Sequence, residues 1–154
     1  MIQEIKGDLL DTDAPLIAHG VNCQGVMGSG VAKALFEKWP RVKQWYHDMF
    51  EEFNAGPEGE NFLGKIDVFY VERHGKQVAN CFTQQYYGGD GEKYLSYDAL
   101  VSCMEELYNY CKQYKINVVA MPKIGCGLAG GDWNIVKAIL ESTFKDITVK
   151  VYIK

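Results

Sequence analysis

Hydrophobic positions along this chain follow two rhythms, alternation every second residue and recurrence at every third or fourth, and glycine-rich stretches separate them. Ile2 to Ile5 alternates weakly before a turn at Lys6-Gly7-Asp8. Leu16-Ile17-Ala18-His19-Gly20-Val21 is a short apolar run between turn signals and predicts a buried strand. Val31 to Trp39 has helical spacing that must stop at Pro40, and a second helix is expected over Arg41 to Phe53. Asn54 to Asn61 is polar and reads as a loop. Lys65 to Glu72 and Gln77 to Phe82 predict two strands joined by a hairpin turn at Arg73-His74-Gly75-Lys76. A second loop runs from Gln84 to Lys93. Leu100, Met104, Leu107 and Cys111 mark the longest helix, Tyr97 to Tyr114. Asn117 to Met121 predicts a buried strand, and Asp132 is the expected N-cap of a helix running to about Phe144. Ile147, Val149, Val151 and Ile153 alternate along a last strand.

Strands that alternate with helices imply an α/β sheet covered by helices on both faces. Ligands of such sheets sit beyond the carboxyl ends of the strands. Two glycine-rich turns fall there. The first is Gln24-Gly25-Val26-Met27-Gly28-Ser29-Gly30, leading into Val31, and the second runs from Ile124 to Gly131. Each follows a strand and precedes a helix, so its backbone N–H groups and the helix N-terminus suit an anion such as a diphosphate. The first turn lacks the Gly-Lys-Ser/Thr ending of a Walker loop and the spacing of a dinucleotide fingerprint. A single turn of this kind is equally consistent with a tight strand-to-helix connection; a pair of them points to ligand.

Composition narrows the picture. The 154 residues suffice for one domain, and the 47% hydrophobic and 23% charged content is that of a soluble globular chain. The formal net charge of -4 and the lack of a basic run argue against generic binding of a nucleic-acid backbone. No stretch approaches the roughly 20 apolar residues of a membrane helix, and the charged start is no signal peptide. Cys23, Cys81, Cys103, Cys111 and Cys126 form no CxxC pair and are odd in number. Free thiols in a reducing cytoplasm are therefore expected. No metal site is expected, since no close His/Cys set or carboxylate cluster is present. Cys126 lies near a helix N-terminus that would lower a thiol pKa; a nucleophile is one option, and it reads as a small loop residue.

Several segments together resemble the macrodomain family: Lys6-Gly7-Asp8-Leu9-Leu10, Ala18-His19-Gly20-Val21-Asn22-Cys23, Met27-Gly28-Ser29-Gly30-Val31-Ala32, Met121 to Leu128, and Thr148 to Tyr152. They occur in the family's order and span nearly the whole chain, which implies a single domain over residues 1–154. The implied fold is three-layer α/β/α with a mixed central sheet. The closest branches are the fungal ADP-ribose-1''-phosphate phosphatases and the terminal ADP-ribose glycohydrolases with their bacterial antitoxin relatives. The segment Cys81 to Gly89 resembles the phosphatase branch.

The resemblance implies that the chain binds ADP-ribose or a derivative and needs no cofactor. ADP-ribosylated protein or nucleic acid is the further partner it implies; a monomer and no membrane are expected. Asp8, beside Leu9, would accept a bond from the adenine amino group, or is a turn aspartate bonding its own backbone. Asn22 would contact the distal ribose, and Gly25, Val26, Met27, Gly28, Ser29, Gly30 and Val31 would hold that ribose and one phosphate. Ile124, Gly125, Cys126, Gly127, Leu128, Ala129 and Gly130 would hold the diphosphate. Thr83 and Gln84 would lie alongside, and Tyr152 would pack beside the adenosine or belong to the core. His19 matches a histidine of the phosphatase branch. An imidazole with a pKa of about 6.5 can position or deprotonate a water at neutral pH; the other reading is a core histidine. His19 and Asn22 are thus the expected catalytic residues.

Two positions depart from the glycohydrolase pattern. That branch has a lysine nucleophile after the threonine, where this chain has Gln84, and an aspartate after Gly-Cys-Gly-Leu, where this chain has Ala129. An amide cannot form the covalent adduct. Hydrolysis of ADP-ribose-1''-phosphate is the first expectation, lysine-independent glycohydrolysis the second, and a non-catalytic reader the third.

Overall fold

A computed structural model describes residues 1–23, 30–53, 62–72, 75–84, 95–127 and 129–154, with side chains in the second span to residue 49. Among them are six strands: β1 (Ile2–Lys6), β2 (Leu16–Asn22), β3 (Ile66–Tyr70), β4 (Gln77–Gln84), β5 (Val118–Met121) and β6 (Thr148–Ile153). The four α-helices are α1 (Gly30–Lys38), α2 (Arg41–Phe53), α3 (Tyr97–Gln113) and α4 (Trp133–Thr143), with a 3-10 turn at Leu9–Asp11.

The strands form one sheet in the order β1-β6-β5-β2-β4-β3. All neighbours are parallel except β3 and β4, the hairpin pair. The sheet is mixed, as expected, and its single reversal lies at one edge. Five strands therefore end on the same side: β1 at Lys6, β6 at Ile153, β5 at Met121, β2 at Asn22 and β4 at Gln84.

Two cores cover the two faces. Leu16 and Ala18 of β2, Ala79 and Cys81 of β4, and the stripe Leu100, Met104, Leu107 and Cys111 of α3 pack with Val136 and Leu140 of α4. On the opposite face, Ile17, Val21, Val78 and Phe82 pack with Leu35 of α1 and Val42 and Tyr46 of α2. Strand β2 reads as continuously apolar because alternate residues meet different helix layers. Pro40 falls between α1 and α2, where a proline ring excludes a continuous helix.

The helix starts are capped by side chains. Ser96 accepts from the Ala99 N–H at α3, and Asp132 accepts from the Asn134 N–H at α4. At the other end of the sheet, Lys76 Nζ donates to the carbonyls of Thr12 and Ala14, 2.7 and 2.8 Å away, tying the β3–β4 connection to the chain entering β2. All five cysteines are free thiols, four of them buried. No described helix is long and apolar enough to cross a membrane.

Candidate functional site

The expected site residues divide into two groups along the carboxyl edge of the sheet. Asp8, Leu9 and Tyr152 lie at β1 and β6; Asn22, Thr83, Gln84 and the segment from Ile124 to Gly130 lie at β2, β4 and β5. Three strand spacings separate β1 from β2, roughly 14 Å, so the two groups suit opposite ends of an elongated ligand. Residues 24–29, the body of the first glycine turn, lie outside the described residues, as does Leu128. Gly30 opens α1 with φ +60 and no described residue within 4 Å of where a Cβ would lie, and Val31 is 36% exposed.

The second glycine turn is ordered by its own backbone. The Cys126 N–H bonds the Lys123 carbonyl at 3.1 Å, Gly130 bonds Gly127 at 3.1 Å, and Gly131 bonds Gly125 at 2.8 Å. Among the described residues the N–H groups of Ile124, Gly125, Gly127 and Ala129 make no hydrogen bond. Gly125 has φ +76, where an L side chain is strained. A Cβ there would also lie 2.7 Å from Leu95 Cδ1, so the turn closes onto Leu95 only because position 125 is bare. Leu95 in turn donates its N–H to the Ala129 carbonyl at 3.0 Å and bridges to Gln84. The neighbouring α4 N-terminus offers little to an anion, since the carboxylate of Asp132 already occupies it.

Next to this turn, β4 carries a bulge. Val21 pairs with Phe82 but Asn22 pairs with Gln84, leaving Thr83 as the extra residue. The Thr83 hydroxyl is buried, makes no hydrogen bond among the described residues, and lies against Gly20, where a Cβ would come within 2.7 Å of it. Ile124, 1% exposed, packs on the same spot. The bulge therefore brings Asn22, Thr83, Gln84 and the Ile124 turn together. Asn22 is held by the hydroxyl of Tyr46, which lies 2.7 Å from its carbonyl oxygen and 2.9 Å from Oδ1.

His19 is placed differently from the expectation of a water-activating group. It sits in mid-strand, 1% exposed, with Nε2 2.6 Å from Asn80 Oδ1 on the adjacent strand. Burial pushes its pKa down to about 4, against the smaller opposing effect of the Asn80 bond. Of the two readings, burial and the Asn80 bond that joins β2 to β4 favour the core histidine over the water-activating group.

Cys126 suits the reading of a small loop residue. Burial raises its thiol pKa, with Lys123 opposing, so the turn does not activate it as the sequence suggested. At the other group, Asp8 caps the 3-10 turn, its Oδ1 accepting from the Leu10 N–H at 2.9 Å and its Oδ2 facing Lys154 Nζ at 3.3 Å. The Leu10 N–H, then Lys154, lower its pKa. The carboxylate is ionised and each oxygen retains a lone pair for a further donor. Tyr152 donates to Thr12 Oγ1 at 2.9 Å and is half-buried beside Gly7.

Sequence reading missed Leu95, Tyr46 and Asn80. Leu95 and Asn80 carry no chemical signature, and Tyr46 looks like one more apolar residue of an amphipathic helix. No cluster of three metal-binding side chains occurs among the described residues.

Comparison with known proteins agrees with this architecture. The chain is 32% identical over 147 residues to an uncharacterised 17.5 kDa protein of Enterobacteria phage T4, covering 92% of this chain and 89% of that one. It is 30% identical to a DNA ADP-ribosyl glycohydrolase of Mycobacterium tuberculosis, covering 96% of this chain but only 40% of that protein's length. It is 30% identical to an ADP-ribose 1''-phosphate phosphatase of Scheffersomyces stipitis, covering 99% of both. The macrodomain of Mycobacterium tuberculosis DarG superposes with a TM-score of 0.83 at 25% identity, covering 100% of this chain and 98% of that one. The Macro domain family model matches residues 18–140, and with the mixed six-stranded sheet and its paired helix layers this chain belongs to that family.

Proposed function

We propose that this chain binds ADP-ribose along the carboxyl edge of its sheet and hydrolyses a derivative of it, ADP-ribose-1''-phosphate, to ADP-ribose and phosphate. The observation that carries this reading is the Ile124–Gly130 turn, in which the N–H groups of Ile124, Gly125, Gly127 and Ala129 make no hydrogen bond among the described residues, lying beside Asn22 and Thr83. N–H donors in a glycine-rich turn hold a diphosphate without a basic side chain, which fits a chain of net charge -4. The adenine end is assigned to Asp8, Leu9 and Tyr152, and the distal ribose and its phosphate to Asn22, Thr83 and Gln84 with the 24–31 segment.

Phosphate-ester hydrolysis is preferred because of Gln84. Its place at the end of β4, paired with Asn22, is where an attacking side chain would meet the distal ribose, and an amide is not a nucleophile. Hydrolysis of a phosphate ester needs a water, which Asn22 orients, and donors for the phosphate oxygens. Water joins phosphorus and the 1''-oxygen leaves with a proton. The second reading is a lysine-independent glycohydrolase, favoured by equal identity to the mycobacterial enzyme.

Calorimetry with ADP-ribose and phosphate release from ADP-ribose-1''-phosphate test the first reading. Release of ADP-ribose from modified DNA and from modified protein tests the second. Tight binding with no product from any of these substrates makes the chain a reader, and absence of binding overturns the whole assignment.

A further inference from the structure

We infer that Tyr46 of α2 is a positioning residue for the binding site, acting through Asn22. This rests on the reading that Asn22 contacts the ligand. Tyr46 is fully buried and its ring stacks on Phe82, 6.1 Å between centroids, within the apolar layer under α1 and α2. Phenylalanine would fill that volume equally well. The hydroxyl is the part that packing does not require, and a buried hydroxyl is tolerated only when it is hydrogen-bonded.

Two contacts join it to a single residue. The single hydroxyl proton is shared between the Asn22 carbonyl oxygen at 2.7 Å and the Asn22 side-chain Oδ1 at 2.9 Å. The reason lies in the sheet. Between Val21 and Asn22 the β2–β4 register slips by one residue of β4. A bulge disrupts the ladder locally and leaves backbone groups to find other partners. Tyr46 reaches the strand end from the helix layer and supplies a donor there. By gripping Oδ1 at the same time, it fixes the rotation of the Asn22 amide. The bulge sets the asparagine at the strand end, 7% exposed, and the phenol sets which way its amide faces.

Positioning of this kind separates from simple structural support in a double-mutant cycle on ligand affinity. Tyr46→Phe keeps the ring and removes only the hydroxyl. Loss of one such bond corresponds to about a three- to ten-fold weaker ADP-ribose affinity. Because the effect passes through Asn22, Tyr46→Phe is expected to cost little further in an Asn22→Ala background. Equal and additive losses in the two backgrounds, or no loss in Tyr46→Phe alone, overturn the inference. A readout independent of ligand keeps this apart from the functional proposal. In 15N-labelled protein the Asn22 side-chain NH2 is expected as one well-dispersed pair of resonances that moves toward unstructured positions in Tyr46→Phe. An unmoved pair overturns the inference even if ADP-ribose binds, and a moved pair sustains the positioning contact even if it does not.

Discussion

His19 should make folding stability depend on pH in a window where few other side chains titrate. Its pKa falls from 6.5 to about 4 on folding, mainly because the ring is buried. A group whose pKa is depressed in the folded state contributes stability that is fully present above its unfolded pKa and lost as pH falls toward its folded value. Between pH 6.5 and 4 the unfolded chain binds a proton that the folded chain refuses. The slope is about 1.4 kcal/mol per pH unit, so acidification from pH 6.5 to 5 removes about 2 kcal/mol and the whole shift corresponds to about 3 kcal/mol. Glu4, Asp8, Asp13 and Asp146 have lowered pKa values and add losses of the same sign, at lower pH. Asp67, raised by burial, works in the opposite sense. The difference between wild type and His19→Gln cancels these groups. Urea unfolding of both proteins at pH 7, 6, 5.5 and 5 is the assay. Wild type should lose stability through this range, while the glutamine variant, whose amide does not titrate, should be flatter by about 2 kcal/mol. Parallel curves would refute the reasoning, and so would a His19 ring that titrates near 6.5 by NMR. The same result bears on catalysis: a histidine neutral down to pH 5 cannot impose a pH limit near neutrality on the reaction.

The glycines of the site should respond unequally to alanine. Gly125→Ala forces a side chain into a φ +76 backbone and against Leu95, so it should cost about 1–2 kcal/mol by thermal unfolding and weaken ADP-ribose binding by calorimetry. Gly127→Ala meets no described residue within 4 Å and should leave the melting temperature unchanged, which makes any loss of ADP-ribose affinity a direct measure of crowding in the cradle. Gly20→Ala places a methyl group 2.7 Å from Thr83 Oγ1 and should destabilise by about 1–3 kcal/mol; adding Thr83→Ala should recover most of that in urea unfolding. Asp132→Ala removes the cap of α4 and should cost about 1 kcal/mol, read from the same unfolding curves.

What was legible in the sequence and what was not divide by the range of the interaction. Pro40 alone is enough to separate α1 from α2. Asp132 is recognisable as a cap because a carboxylate two residues ahead of an N–H acts locally. The stripe of Leu100, Met104, Leu107 and Cys111 identifies α3 by its own spacing, and the alternation of Val149 and Val151 identifies β6. These are relations within a few residues, and periodicity records them. The hairpin of β3 and β4 was equally open to reading, since the two runs lie close in sequence and their pairing is antiparallel.

The site depends on contacts that no local pattern records. Asn80 reaches His19 across 61 positions, and no local pattern around His19 records that bond or the burial that goes with it. Tyr46 meets Asn22 across 24 positions. Leu95 lies against Gly125 and Gly131, so that the shape of the second glycine turn depends on a leucine with nothing unusual about its surroundings in sequence. The β4 bulge matters most in this respect. A slip of one residue beside Asn22 decides that Thr83 faces Gly20 and Ile124 and that Gln84 pairs with Asn22. Motif resemblance can say that a threonine, a glutamine and an asparagine stand in the expected order. Only the register says that they meet, and it sets the amide of Gln84 beside Asn22, the residue proposed to contact the distal ribose. For that reason the identity of residue 84, more than the glycine turns around it, separates a phosphatase reading from a lysine-dependent glycohydrolase.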